Sequence, residues 1–178
     1  RLVFNPPSSK ISTEATTRFT NEIIEQEDAL FMERDFVQWS QQLRESLGLK
    51  RADVDRCLEI LDQLKECELS RMMLLRNPDG VNIIRRLRRY IGNLKLWNLN
   101  EKQEEEFKVK AEIIRNNAII IYDNFKKIFQ FTGNNFWEHF FDKVELYKQT
   151  TKHMEEKNRI LLKQSTYEKM VASQEEGV

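Results

Sequence analysis

Histidine, cysteine, proline and glycine are all scarce in this chain, and each scarcity removes a class of function. The 178 residues include two His, two Cys, three Pro and five Gly. On one helix His139 and His153 would stand roughly 21 Å apart, too far to share a metal ion. Neither has an HExxH or CxxC setting, so no metal and no other cofactor is expected. Cys57 and Cys67, placed on one helix, would have α-carbons about 15 Å apart, beyond disulfide reach. Two unpaired thiols suit a reducing cytosolic or nuclear compartment. The glycines are scattered and cradle no phosphate, and neither a GxSxG nor a Cys–His grouping occurs, so no enzyme is expected. The longest apolar run, Ala118 to Ile121, is far short of a membrane span. No signal peptide is visible, and the start at Arg1 reads as a piece of a longer protein. Lys+Arg and Asp+Glu number 29 each, which argues against general nucleic-acid affinity while leaving room for a local patch.

What is present is helical. Charged residues make up 33% of the chain, and apolar residues recur at helical rather than strand spacing. The expectation is an all-α domain with a helical appendage. Its centre is Ile83-Ile84-Arg85-Arg86-Leu87-Arg88-Arg89-Tyr90-Ile91. On a helix, Ile83, Ile84, Leu87, Tyr90, Ile91 and Leu94 span an arc of roughly 120°, with the four arginines opposite. As a strand, the same residues would mix Ile and Arg on both faces.

Around this centre the elements follow in order. Residues 1–17, with Pro6-Pro7-Ser8-Ser9, read as a linker or peripheral arm, the alternative being that Leu2, Val3 and Phe4 dock as a strap. Residues 18–150 form the bundle. Its first helix carries Phe19, Ile23, Leu30, Phe31, Val37, Leu43 and Leu47, with an optional break near Arg34-Asp35. Gly48 is expected to stop it in a left-handed conformation. A helix from about Asp53 to Leu75 follows, then a turn over Arg76-Asn77-Pro78-Asp79-Gly80. Beyond the arginine helix, Leu96 and Trp97 form an aromatic plug, and Asn100 caps the next helix. That helix buries Phe107, Ile114, Ala118, Ile121, Tyr122, Phe125, Ile128 and Phe129, and Gly133 ends it. Asn134 or Asn135 starts a last, long helix bearing Phe136, Trp137, Phe140, Phe141, Val144 and Tyr147. In residues 151–178 the apolar stripe thins, so this helical tail projects, frays or pairs with another chain.

Carboxylate groups such as Glu104-Glu105-Glu106 and Glu155-Glu156 read as solvated helix faces. Four arginines in five positions are denser. They are either an exposed face paired with acids such as Glu66 or Glu68, or a binding surface. As a surface they would meet an acidic protein segment or nucleic-acid phosphates. Neutral overall charge favours protein.

Three blocks carry a family resemblance. They are Ser46 through Leu64 (SLGLKRADVDRCLEILDQL), Ile84-Arg85-Arg86-Leu87-Arg88-Arg89-Tyr90, and Ile121 through Phe129 (IYDNFKKIF). Together they resemble the integrase-binding domain of the lens-epithelium-derived growth factor and hepatoma-derived growth factor-related family, over roughly Phe36 to Lys148. The resemblance implies a compact right-handed bundle, similar to the N-terminal domain of transcription elongation factor TFIIS, with no enzymatic activity. Here it would carry an extra N-terminal helix and a long C-terminal one.

The resemblance further implies capture of disordered motifs, acidic residues followed by paired aromatics, from nuclear transcription and chromatin regulators, a histone kinase among them. Family members often carry a PWWP chromatin reader elsewhere and so tether a partner to chromatin in the nucleus. By the same resemblance Leu49 is the hydrophobic member of the first interhelical loop, and Tyr90, followed by Ile91, lines the partner pocket. Arg85, Arg86, Arg88 and Arg89 meet the partner's acidic stretch. Two departures stand out. Lys50, a donor only, occupies the place of a loop acid that accepts partner N–H groups. An insertion, Leu96-Trp97-Asn98-Leu99-Asn100, follows the pocket aromatic and stands to reshape or partly fill the pocket. The other readings are a nucleic-acid module using the same arginines and a homodimer formed through the tail or the arm.

Overall fold

A computed structural model of the protein describes the backbone of residues 9–177 and the side chains of residues 13–177. Among these residues the chain is all-α. The helices are α1 (Ser9–Ser46), α2 (Val54–Lys65), α3 (Arg71–Arg76), α4 (Pro78–Leu87), α5 (Leu94–Trp97), α6 (Glu101–Ile128), α7 (Phe136–Thr151), α8 (Glu156–Ile160) and α9 (Gln164–Glu176). α2 and α4 pack on α6, and α1 closes over α2 and α4, while α3 joins α4 to α7.

Local chemistry sets most of the boundaries. The Asp53 carboxylate accepts from the Arg56 N–H at 3.1 Å and starts α2. Asn100 and Gln103 exchange bonds of 2.8 and 3.2 Å in a capping box that starts α6. Asn135 caps α7 by accepting from the Glu138 N–H. The predicted buried face of α6 is buried as expected, with Ile128 only half covered. On α7, Phe136, Phe140, Val144 and Tyr147 are core, whereas Phe141 points outward.

Several boundaries differ from those read in the sequence. α1 is unbroken at Arg34-Asp35 and begins at Ser9, inside the segment read as an arm. No Gly or Pro interrupts it after Pro7, so nothing forces a break. The strap reading of Leu2-Val3-Phe4 lies outside the described residues. Gly48 is not left-handed; the loop after α1 is closed by the Asp53 N–H donating to the Ser46 carbonyl at 2.6 Å and by a single Leu47–Ala52 bridge. Gly133 is not left-handed either, and Gln130, at φ 53°, turns the chain after α6. The expected helix over 53–75 is two. The Ser70 side chain accepts from the Met73 N–H at 3.2 Å and starts α3 anew, leaving Cys67 in the connector. The expected turn over 76–80 shrinks to Asn77, because Pro78 takes the first position of α4, where its missing N–H costs nothing. Gly80 lies within α4 because α1 crosses there; a β-carbon on it would stand 2.6 Å from the Phe36 ring.

The tail departs furthest from expectation. Instead of one long C-terminal helix, α7 ends at Thr151, and α8 and α9 fold back on the bundle. Leu162 and Tyr167 are buried, the Tyr167 ring packs at a tilt against Tyr147 at 5.6 Å, and the Thr150 hydroxyl donates to the Gln174 side-chain oxygen at 3.1 Å. Leu162 and Tyr167 are thus covered within the chain, while Ile160 and Leu161 stay exposed.

Arg76 holds this return. Its guanidinium donates to both oxygens of Glu33 at 2.8 and 3.0 Å, and to the carbonyls of Arg159 and Leu162 at 3.2 and 3.4 Å. Arg76→Ala should cost about 3 kcal/mol, since it leaves the largely buried Glu33 carboxylate without its cation and with only the Asn77 amide as donor. Urea unfolding measures the loss, and early proteolysis between residues 152 and 163 would show the tail released.

Burial also fixes a pH dependence. Burial first, and then the Asp53 carboxylate, pushes the Cys57 thiol up to about 12. Burial, with Asp35 and Glu68, pushes Cys67 to about 11. Burial, with Cys57 behind it, pushes the Tyr90 phenol to about 12. These folded-state values lie above the unfolded ones, so between the two the unfolded chain loses protons that the folded chain keeps. Stability is therefore full below about pH 9 and falls as pH rises toward about 12. Urea midpoints measured from pH 8 to pH 11 should decline, and Cys57→Val should flatten part of the slope; a level profile would contradict the burial argument.

Candidate functional site

The arginine stretch is a helix only as far as Leu87. Arg88 and Arg89 lie in the turn that ends α4, and Tyr90 and Ile91 lie beyond it. The four arginines therefore do not form one free face. The Arg85 guanidinium sits over the Trp137 ring at 4.8 Å, and that of Arg88 over the Tyr122 ring at 4.0 Å. These two are half-buried and pack α4 against α7 and α6 as cations on aromatic faces. Arg86 and Arg89 are exposed. All four line a depression of about 290 Å³. The pairing with Glu66 or Glu68 is not made: among the described residues none of the four forms an ion pair.

Beyond Arg89 the backbone is held from α6, where Arg115 donates to the Tyr90 carbonyl at 2.7 Å. The Tyr90 ring packs on Phe107 at 6.0 Å, and its hydroxyl is buried with no hydrogen-bond partner. Tyr90 is thus a wall of the site rather than an open contact. Ile91 was expected on the buried stripe but is 71% exposed, because the helix has ended and its helical phase no longer applies. Gly92 follows at φ +72°, where a β-carbon would collide with the Phe107 ring, so only glycine turns the chain here.

This turn delivers the insertion. Trp97 packs edge-on against Phe107 at 5.2 Å and donates its indole N–H to the Leu49 carbonyl at 2.8 Å. The Asn93 amide donates to the same carbonyl at 3.4 Å. The loop between α1 and α2 and the connection between α4 and α6 are thereby brought together. The insertion does plug the site, but it works by tying down the loop backbone and leaves apolar side chains facing solvent. Leu49 is 76% exposed and Leu96 58% exposed. Beside them opens a cavity of about 390 Å³, with Lys50 and Arg51 on one wall and Leu96, Trp97, Leu99 and Phe107 on the other. Lys50, like Arg51, makes no ion pair with a described residue.

The residues that organise the site but were not foreseen as part of it are Asn93, Phe107 and Arg115. Arg115 carries no local signal, since its partner is a backbone carbonyl twenty-five residues away. Phe107 was legible only as core. Trp97 was legible as a plug but not as a donor to Leu49.

Among known proteins, the lens epithelium-derived growth factor (LEDGF) family matches residues 33–150. No curated protein and no solved structure matches the chain. The matched span starts at Glu33, inside α1, and ends at the close of α7. It contains the α1–α2 loop, the arginines, Tyr90 and the insertion, and it leaves out the exposed half of α1 and the pair α8–α9. The chain therefore belongs to the LEDGF family, over its integrase-binding domain, a protein-interaction domain of chromatin-associated proteins.

Proposed function

We propose that the chain is a capture domain for a short disordered segment of a nuclear transcription or chromatin regulator, with a histone kinase among the candidates. The observation that carries this reading is the pairing of exposed apolar side chains with unpaired cations at one end of the bundle. Leu49, Ile91 and Leu96 offer apolar contact, and Lys50, Arg51, Arg86 and Arg89 lack carboxylate partners among the described residues. A segment that supplies aromatic side chains and carboxylates satisfies both at once. Bound in this way to a protein held on chromatin, the partner is tethered there.

The basic wall formed by Lys50 and Arg51 changes what the loop can recognise. A lysine cannot accept partner N–H groups, and the Leu49 carbonyl already receives Trp97 and Asn93. Recognition here rests on side-chain charge and apolar contact rather than on partner backbone donors. Arg85 and Arg88, held over their rings, act mainly as fixed positive potential at the site's edge.

The test is an amide NMR titration with a peptide of acidic residues followed by two aromatics, against a short DNA duplex at matched salt. Shifts at Leu49, Ile91 and Leu96 with peptide support capture; shifts confined to Arg86 and Arg89 with DNA, and silence with peptide, hand the site to nucleic acid. Leu49→Asp or Ile91→Asp should weaken peptide binding at least about tenfold. Arg86→Glu with Arg89→Glu should cost about 1 kcal/mol, because both cations are solvent-exposed, and the loss should shrink in high salt.

A further inference from the structure

α1 carries two apolar stripes, and the bundle uses one. Phe36, Ser40 and Leu43 turn into the core. Phe19, Ile23, Leu30 and Val37 follow one another at four, seven and seven residues and stay exposed, Phe19 at 64%. They lie within roughly 40° of one another, about a third of a turn from the core-facing stripe. Every side chain from 13 to 31 is exposed, and from Gln26 on α1 lines a cavity shared with α3 and the C-terminal return. Spacings of four and seven are those of a helix that packs along another helix.

Two further observations specify what fits. The stripe runs into a cavity of about 530 Å³ between α1 and the C-terminal return, with Leu30 and Val37 on one side and Tyr147 and Ile160 on the other. A bulky apolar side chain would be accommodated there. The charge is one-sided: residues 13–31 hold Glu14, Glu22, Glu25, Glu27 and Asp28 against Arg18 alone. None of these five carboxylates forms an ion pair with a described residue. A second copy of α1 would double that imbalance, and a nucleic acid would be repelled by it.

We propose that the outward stripe of α1 is a docking ridge for a basic amphipathic helix of a partner protein. Its apolar face lies along Phe19, Ile23, Leu30 and Val37, a bulky side chain enters the α1–α8 cavity, and flanking lysines or arginines meet the carboxylates. This ridge stands apart from the Leu49–Ile91 site and does not depend on motif capture there.

The test uses the full chain and two synthetic helical peptides, each with leucine at the two apolar positions of every heptad. One carries lysine at the flanking positions and the other glutamate. Fluorescence anisotropy should show the lysine peptide binding at least about tenfold more tightly, with affinity falling as salt rises. Ile23→Glu with Leu30→Glu should weaken it about tenfold or more, Leu49→Asp should leave it unchanged, and light scattering should give a monomer. Ile23→Ser with Leu30→Ser repeats the test without added charge, and unchanged circular dichroism confirms that both variants fold. Equal binding of the two peptides, no binding of either, or indifference to both variants would overturn the proposal. A dimer that the variants convert to monomer would overturn it too, by giving the ridge to a second copy.

Discussion

Arg76 bridges three parts of the chain that lie far apart in sequence: α1, the α3–α4 joint and the C-terminal return. With side-chain exposures of 12% each, it and Glu33 form a largely desolvated ion pair, and such a pair is tolerable only when its remaining hydrogen-bonding capacity is used. It is used here. The Asn77 amide adds a second donor to Glu33 at 2.9 Å, and Arg76 also serves carbonyls at and just beyond the end of α8. The Arg159 carbonyl also accepts from the Leu162 N–H at 3.2 Å, so there the guanidinium adds a second donor at the end of a short helix. One guanidinium thus anchors α1 where it enters the bundle, closes the joint between α3 and α4, and fixes the return of the tail.

That arrangement separates the molecule into two working ends. Below the latch, α1 packs with α2, α4 and α6 and positions the α1–α2 loop beside Tyr90 and the Trp97 insertion. Above it, α1 continues as an acidic helix with an apolar stripe. The span matched by the LEDGF family begins at Glu33, the latch residue itself. The arginines show how one sequence run is divided between duties. Arg85 and Arg88 sit over aromatic faces and pack α4 against α7 and α6, and Arg86 and Arg89 stay exposed.

The site was legible in part. Leu49, Lys50, Arg86, Arg89 and Ile91 are exposed, and the α1–α2 loop meets the connection after Tyr90 through Trp97 and Asn93. What could not be read was how they are held. The indole of Trp97 finds the Leu49 carbonyl across forty-eight residues, and Arg115 finds the Tyr90 carbonyl across twenty-five. Such bonds depend on where two distant elements meet, and no local pattern encodes that. The Tyr90 hydroxyl is likewise buried without a hydrogen-bond partner, with Cys57 of α2 behind it.

The sequence by itself determined what is decided within a few residues. Apolar spacing made the chain all-α, and Asn100 capped α6 through its own next turn. The buried face of α6 followed from a period that no neighbour disturbs. Tertiary structure alone decided the outcomes in which local signals were weak or in competition. Leu87 ended the arginine helix, so Ile91 faced water instead of core. A tail too weakly amphipathic to predict a partner found one in its own bundle. Its few apolar side chains gain burial only once α1, α3 and α7 have formed a surface, and Arg76 supplies the donors that the returning backbone needs.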